Sequence, residues 1–275
     1  MRLTALLVAA VIATPSALQA AAPERVEISQ GEGSLRGLLY RPEGPGPFPA
    51  IVALHGCGGL SNPRAVPAPQ YDDWGERLKA AGFAVLFPDS FGSRGLGSQC
   101  RVRFSTARPS REMVADAVAA RRWLQNQSYV KADRVSLLGW SSGAIATLWA
   151  VRPQAAAKDD GPDFRSAVAL YPGCRRLANT AWSARVPTLI LVGGADDWSP
   201  ASVCEQMVRG ARGRSAKASI IVYPGAMHYF DRPNQPVQRR TGLAFSVDGS
   251  GNVTVGTHPR AREDVLKRVP EWLSR

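Results

Sequence analysis

Short apolar segments alternate along the chain with segments that have helical patterning. The apolar segments are 25–29, 35–40, 50–55, 83–87, 134–139, 166–171, 187–193 and 218–223. Most of them are apolar without interruption, which is typical of strands buried on both faces of a parallel sheet. The helical segments are 71–81, 109–127, 142–151, 200–212 and 259–275. This alternation predicts an α/β fold, with a mostly parallel sheet covered by helices on both faces.

The first 22 residues have the pattern of a secretory signal peptide. Arg2 supplies a positive charge, residues 3–13 form an apolar run, and small side chains follow at 20–22. A membrane anchor is the alternative, but the run is shorter than the roughly 18 apolar residues that cross a bilayer. We therefore predict a signal peptide over 1–22, one domain over 23–275, and an exported protein, periplasmic or secreted, with no membrane span.

The basic charge of the chain does not by itself indicate a nucleic-acid-binding protein. Lys and Arg number 34 against 22 Asp and Glu, a formal net charge of +12. However, the sequence has no nucleic-acid-binding motif and no basic helix interleaved with aromatic residues. The 4 cysteines form no C-x-x-C pair, which argues against a zinc site. We expect no nucleic-acid partner, no metal and no cofactor.

The segment GWSSG (139–143) fits the pattern G-x-S-x-G, with Ser141 at its centre. An apolar segment precedes it and a helical segment follows, the setting in which a sharp turn exposes a nucleophilic serine. The alternative is an ordinary strand-to-helix connection whose serines cap the helix, a role that suits Ser142. We predict Ser141 as a nucleophile and the backbone N–H of Ser142 as one donor to the oxyanion.

A serine hydroxyl needs a base, and the chain has 3 histidines. His55 ends a strand just before a glycine, which favours a structural hydrogen bond. His258 lies beside a proline at the start of the last helix, where we expect it at the surface. His228 follows the last strand of the predicted sheet, at the edge where Ser141 lies. We therefore predict His228 as the base.

The histidine needs an orienting carboxylate, and the oxyanion needs a second donor. Asp196 and Asp197 follow the strand 187–193 at the same edge of the sheet. One of them can orient the histidine while the other caps the next helix. The glycine-rich segment HGCGGL (55–60) follows the first central strand. We place the backbone N–H of Cys57 in the oxyanion hole and expect its thiol to be a packed bystander.

Four motifs in this order resemble the dienelactone hydrolase family of α/β-hydrolases: HGCGG (55–59), GWSSG (139–143), GGADDWSP (193–200) and YPGAMH (223–228). The resemblance covers about residues 25–275 and includes the Ser, Asp, His chain order. The best-known members carry cysteine as nucleophile and are typically cytoplasmic, whereas this chain has serine and a signal-like start. The resemblance implies an α/β-hydrolase fold with nucleophile Ser141, acid Asp196 rather than Asp197, base His228, and oxyanion donors Cys57 and Ser142.

These residues predict a serine hydrolase that cleaves carboxylic esters or lactones through an acyl-enzyme. The resemblance implies activity like that of a carboxymethylenebutenolidase, on small substrates that include carboxylated ones. A peptidase of the prolyl-oligopeptidase type has the same triad order, but it usually carries a further domain for which this chain has no room. A binding protein on the same fold is the third candidate, and the presence of every triad member favours the enzyme.

Two long connections, 88–110 and 229–258, are predicted to form the rim of the site. The connection 172–186 is too short for a cap domain, so we expect the site to be open. Within the second long connection, 243–255 carries Asp-Gly-Ser-Gly and is predicted to form a hairpin.

The connection 88–110 has several arginines and no acid between Asp89 and Glu112. The arginines are Arg94, Arg101, Arg103 and Arg108, with Arg111 just beyond. We hypothesise that one or two of them hold a substrate carboxylate or another anion, and we name Arg94, Arg101 and Arg103 as the first candidates. A solvated basic loop is the alternative.

The cysteines suggest one disulfide, since an oxidising compartment permits it. Cys174 follows one strand and Cys204 opens the helix after the next, so adjacent strands would bring the two together. We predict a Cys174–Cys204 disulfide, with Cys100 free or competing.

Overall fold

The computed structural model describes residues 22–30, 33–62, 66–155 and 161–275. The predicted signal peptide, apart from Ala22, lies outside the described residues. Within the described ranges the strands are β1 Glu24–Gln30, β2 Gly33–Tyr40, β3 Phe48–Leu54, β4 Ala84–Pro88, β5 Val130–Trp140, β6 Ala167–Leu170, β7 Thr188–Gly193, β8 Ala218–Tyr223, β9 Gln238–Arg240 and β10 Val253–Val255. The helices are α1 Pro69–Ala80, α2 Glu112–Gln125, α3 Ser142–Ala150, α4 Arg175–Ala178, α5 Ala201–Gly210 and α6 Pro259–Leu273.

Strands β1 to β8 form one sheet in the order β1-β2-β4-β3-β5-β6-β7-β8. β2 is antiparallel to both of its neighbours, and all other neighbouring pairs are parallel. Every residue of β4, β6 and β7 is buried, which explains why these strands are apolar without interruption. The predicted α/β fold with a mostly parallel sheet is confirmed.

The sheet separates two hydrophobic clusters, and alternate residues of one strand contribute to each. In β3, Val52 and Leu54 belong to one cluster, while Ile51 and Ala53 belong to the other. The first cluster includes buried residues of α2, α3 and α5, and the second includes those of α1 and α6. Helices therefore cover both faces, and the carboxyl ends of the parallel strands remain as an edge where loops meet.

The long connection after β8 departs from the prediction. The two-stranded ladder pairs β9 with β10, so the predicted hairpin over 243–255 is wrong in its first strand. The reason is local: Ser246 Oγ accepts the Gly251 N–H, and Asp248 Oδ1 accepts the Ser250 N–H. These side chains satisfy backbone donors that a strand would have paired with a ladder.

Among the described residues, no helix is long and apolar enough to cross a membrane.

Candidate active site

Ser141 lies on a strained turn between β5 and α3. Its φ is 51° and its ψ is −112°, a conformation that costs a non-glycine residue roughly 1–3 kcal/mol. A Cβ at Gly139 would lie 2.4 Å from the Gly143 carbonyl oxygen, and one at Gly143 would lie 2.0 Å from the Leu54 oxygen. The Ser141 N–H donates to the Leu170 oxygen at 3.0 Å. Both glycines are therefore required for the turn that presents the serine.

The structure brings Ser141, His228 and Asp196 together. His228 Nδ1 lies 2.7 Å from Asp196 Oδ2, and His228 Nε2 lies 3.1 Å from Ser141 Oγ. Because a carboxylate only accepts hydrogen bonds, the imidazole proton belongs on Nδ1, which leaves Nε2 to accept from the serine hydroxyl. The imidazole is fully buried, and Ser141 is 9% exposed. The arrangement can move a proton from the serine to the histidine.

The two neighbouring acids have different partners. Asp196 Oδ1 accepts the backbone N–H groups of Trp198 at 2.9 Å and Ser199 at 2.7 Å, which leaves Oδ2 for His228. The Asp197 carboxylate accepts the Thr254 N–H at 2.9 Å and so fastens β10 beside the site. Asp196 is thus the acid that contacts the histidine.

Aromatic rings surround the imidazole of His228. The ring centroids of Tyr171, Trp198 and Tyr229 lie 4.5, 4.6 and 4.8 Å from it. The His228 carbonyl oxygen accepts the Gly256 N–H at 3.1 Å. These contacts restrict the ring orientation and limit access of water to the Asp196–His228 pair.

The sequence analysis missed Asp231, a fully buried carboxylate behind the triad. It accepts hydrogen bonds from Tyr171 Oη at 2.7 Å, from Trp74 Nε1 and Trp140 Nε1 at 2.8 Å each, and from Gln70 Nε2 at 3.1 Å. A buried carboxylate needs such partners, since leaving it unpaired is costly. The only signal in the sequence is an acid that directly follows the apolar, aromatic segment after the base.

Cys57 is joined to Cys100 by a disulfide. The expectations of a packed Cys57 thiol and a free or competing Cys100 are therefore wrong. The connection 88–110 crosses the site, where the Gln99 N–H donates to the Cys57 oxygen at 2.7 Å, and this brings the two sulfur atoms together. Cys57 and Ser142 both line a cavity beside Ser141, where their N–H groups remain the predicted oxyanion donors. The structure also joins Cys174 to Cys204, the predicted pair.

An open cavity of about 820 Å³ lies over Ser141. Its lining comes from the connection 88–110, from α3, from the segment 173–176, from 198–203 and from Phe245 and Ser246. No aspartate or glutamate of the described chain lines it, whereas aromatic and aliphatic side chains do. Nor do the described residues contain a cluster of three or more His, Cys, Asp and Glu side chains that could hold a metal ion.

The predicted anion-binding arginines are only partly in place. Arg103 lines the cavity with its guanidinium over the Phe245 ring, 5.5 Å from the centroid. Arg94 does not line it, because its guanidinium donates to the Asp116 carboxylate at 2.8 and 2.9 Å. Arg101 does not line it either, and its guanidinium lies against Gly242. The prediction is therefore wrong for Arg94 and Arg101.

Three other arginines line the cavity: Arg108, which the sequence analysis had included in its hypothesis, and Arg175 and Arg176, which it had not. Arg108 donates to both carboxylate oxygens of Glu112, at 2.9 and 2.7 Å. This ion pair lowers the pKa of Glu112 to about 2. Arg175 and Arg176 belong to α4, a helix too short to show a periodic pattern.

Comparison with known proteins finds a matching family and similar folds. A model of the dienelactone hydrolase family matches residues 35–275. An uncharacterised protein of Mycobacterium tuberculosis is 31% identical over 224 residues, which are 74% of this chain and 71% of that protein.

Two solved structures have a similar fold. Dienelactone hydrolase from Anabaena variabilis superposes with a TM-score of 0.62 at 20% identity, covering 92% of this chain and 98% of that one. Esterase 2 of Thermogutta terrifontis, phosphoramylated by tabun, gives a TM-score of 0.64 at 18% identity, covering 93% and 95%.

Proposed function

The chain belongs to the dienelactone hydrolase family and has the α/β-hydrolase fold, and we propose that it is a serine hydrolase acting on carboxylic esters or lactones. Membership of this family supports hydrolysis of an ester or lactone bond. The observation that carries the finer proposal is the hydrogen-bonded series from Ser141 Oγ through His228 to Asp196 Oδ2, beside an open cavity.

In the proposed reaction, Ser141 Oγ attacks the ester carbonyl carbon while His228 Nε2 takes the hydroxyl proton. Asp196 stabilises the resulting imidazolium through its hydrogen bond to Nδ1. The N–H groups of Cys57 and Ser142 would stabilise the oxyanion, and Ser142 begins α3, whose N-terminal dipole favours negative charge. The bond to the leaving oxygen then breaks, and that oxygen receives the proton from His228.

Water completes the cycle by the same route. It loses a proton to His228 Nε2 as its oxygen attacks the acyl carbon, and the proton returns to Ser141 Oγ as the acid is released. A serine depends on this base more than a cysteine would, since the serine hydroxyl is a weak nucleophile at neutral pH. The 3.1 Å contact between Ser141 Oγ and His228 Nε2 supports serine as the nucleophile here.

A fluorophosphonate probe tests the proposal, and the organophosphorus adduct of the Thermogutta terrifontis esterase supports this choice of reagent. We expect one adduct on Ser141, mapped by peptide mass spectrometry. Ser141→Ala should abolish labelling, and His228→Ala should lower kcat on an activated ester by at least about 10³-fold. Ser142→Ala is the matched control and should retain labelling.

An unlabelled protein, or an adduct on Ser142, would contradict the proposal and favour a binding protein on the same fold. The substrate panel should contain simple esters, lactones, a carboxylated ester and a peptide. The carboxylated ester tests the remaining candidate, Arg103, for an anionic part of the substrate.

A further inference from the structure

Helix α3 exposes a single face, and that face is turned to the cavity. Six of its nine residues, Ser142–Ala150, are buried. The other three, Ser142, Ile145 and Trp149, are half-buried and all line the cavity. Their spacing of three and four residues puts them on one side of the helix. The accessible side of this helix, beyond its first residue, is therefore apolar.

This apolar face leads away from the nucleophile. Trp149 lies eight residues after Ser141, which corresponds to about 12 Å along the helix axis at 1.5 Å per residue. Arg152 lies over the indole of Trp149, with its guanidinium carbon 4.6 Å from the ring centroid, and holds that end in place. Ile145 lies between the two ends.

Other uncharged residues line the same cavity as Ile145. Pro200 and Val203 line it from the start of α5. A Cβ at Gly173 would lie 3.2 Å from Ile145 Cδ1 and 3.9 Å from Ser199 Oγ, so a side chain there would crowd Ile145 and narrow this part of the cavity. We define the trench by Ile145, Trp149, Gly173, Pro200 and Val203. None of them carries a charge.

We propose that the trench binds the acyl chain of the substrate, and that the enzyme prefers esters of medium-chain or aryl carboxylic acids to acetates. This inference rests on the proposed function. The leaving oxygen must lie next to His228 Nε2 to receive its proton, whereas the trench follows α3 from Ile145 to Trp149, away from Ser141. The acyl side of the ester is therefore the part that enters the trench.

A series of p-nitrophenyl esters tests the inference, because the leaving group stays constant from acetate to octanoate. Burial of one CH₂ group corresponds to at most about a fourfold gain in kcat/KM. We expect kcat/KM to rise by at least about tenfold from acetate to hexanoate. Equal values along the series would overturn the inference.

Two variants locate the effect. Trp149→Ala should remove most of the chain-length preference, whereas Gly173→Val should fill the trench and lower kcat/KM for octanoate while acetate turnover persists. The matched control is Trp123→Ala, because Trp123 is also half-buried on a helix but lines a separate cavity beside Ile28 and Ala119. If Trp149→Ala and Trp123→Ala change the preference alike, the trench is not the cause.

The two proposals can fail separately. Acetate turnover that depends on Ser141, combined with a flat chain-length series, would refute only the trench. If no ester is hydrolysed, the proposed function fails. The trench is then tested by titrating octanoate into Ser141→Ala and measuring the quenching of tryptophan fluorescence. Quenching in Ser141→Ala that disappears in the double variant Ser141→Ala, Trp149→Ala supports the trench. If Ser141→Ala itself shows no quenching, the trench is refuted.

Discussion

His55 shows how one buried side chain can make stability depend on pH. It is fully buried and donates from Nδ1 to the Gly56 oxygen at 2.8 Å, which confirms its predicted structural hydrogen bond. In the part of the chain that the structure describes, Nε2 has no hydrogen-bond partner. Burial lowers the pKa of His55 below 6.5, although the Asp89 and Asp116 carboxylates partly oppose the shift.

We expect the free energy of unfolding to fall as the pH drops below 6.5. The unfolded histidine protonates near 6.5 while the folded one stays neutral, so the unfolded state binds more protons there. The contribution of His55 is fully present above pH 6.5 and declines by up to about 1.4 kcal/mol per pH unit below it. Urea unfolding at pH 7 and pH 5 should show this component in the native protein and not in His55→Gln.

His258→Gln serves as the comparison. His258 is half-buried and accepts the Ala261 N–H at the start of α6. That variant should lower stability at both pH values and keep the decline that comes from His55. A decline that survives in His55→Gln would assign it to other groups.

Individual residues differ in how far the sequence determines their role. The contact between Ser141 and His228 could be predicted, because a motif and the strand order put both residues at one edge of the sheet. Asp196 and Asp197 could not be separated from the residues alone, because the turn geometry decides which carboxylate faces His228. Arg94 was misassigned because its partner, Asp116, lies on a helix that packs against it only in the folded chain.

At the scale of elements, Asp231 connects the loop that carries His228 to the strands and the helix packed around that loop. Trp140 ends β5 immediately before Ser141, and Tyr171 follows β6. Gln70 and Trp74 belong to α1. Asp231 accepts hydrogen bonds from all four of these residues and lies three positions after His228. It therefore fixes the position of His228 relative to Ser141.

We expect Asp231→Asn to lower both stability and kcat. Trp74, Trp140 and Gln70 can only donate to this position, and a Tyr171 hydroxyl that turned to accept from the amide would lose the acceptor for its own proton. The new amide nitrogen therefore leaves at least one buried donor without an acceptor. The loss in the free energy of unfolding should be roughly 1–3 kcal/mol, measured in urea. kcat on a soluble ester should fall while labelling of Ser141 slows.

Asp264→Asn is the matched control, since Asp264 accepts from Arg268 and from Tyr223 Oη and, among the described residues, shares no hydrogen-bond partner with Asp231. Loss of the ion pair with Arg268 should cost no more than about 1 kcal/mol and leave kcat unchanged. If both variants lower kcat equally, the network around Asp231 does not position the base.

Strands and helices could be predicted from the sequence where burial determines their pattern of apolar residues. The eight strands of the main sheet were found because their apolar runs reflect burial, and each longer helix overlaps a predicted segment, although α1 begins two residues earlier than predicted. α4 and β9 were missed because four and three residues are too few for a period to appear. The loop 241–252 was misassigned because hydrogen bonds from Ser246 and Asp248 replace a strand ladder.

At the scale of the whole molecule, two disulfides connect the loops that surround the cavity. Cys57 and Cys100 are 43 residues apart, and Cys174 and Cys204 are 30 apart. The entropy that a disulfide removes from the unfolded chain depends on the logarithm of the loop length, so each should stabilise the fold by about 4 kcal/mol. The two disulfides should therefore stabilise the fold by nearly the same free energy. Only the Cys57–Cys100 disulfide includes a residue whose backbone N–H is a predicted oxyanion donor.

This match allows activity to be separated from stability. We expect Cys57→Ala with Cys100→Ala to lower kcat by roughly ten- to hundredfold, because a displaced N–H no longer meets the developing oxyanion. Cys174→Ala with Cys204→Ala should lower the unfolding midpoint similarly and retain kcat for acetate. Its effect should appear in the KM for octanoate, because the second disulfide anchors α5, which carries Val203 of the trench. Equal losses of kcat in the two variants would mean that both disulfides act only through global stability, and that the Cys57 N–H does not depend on Cys100 for its position.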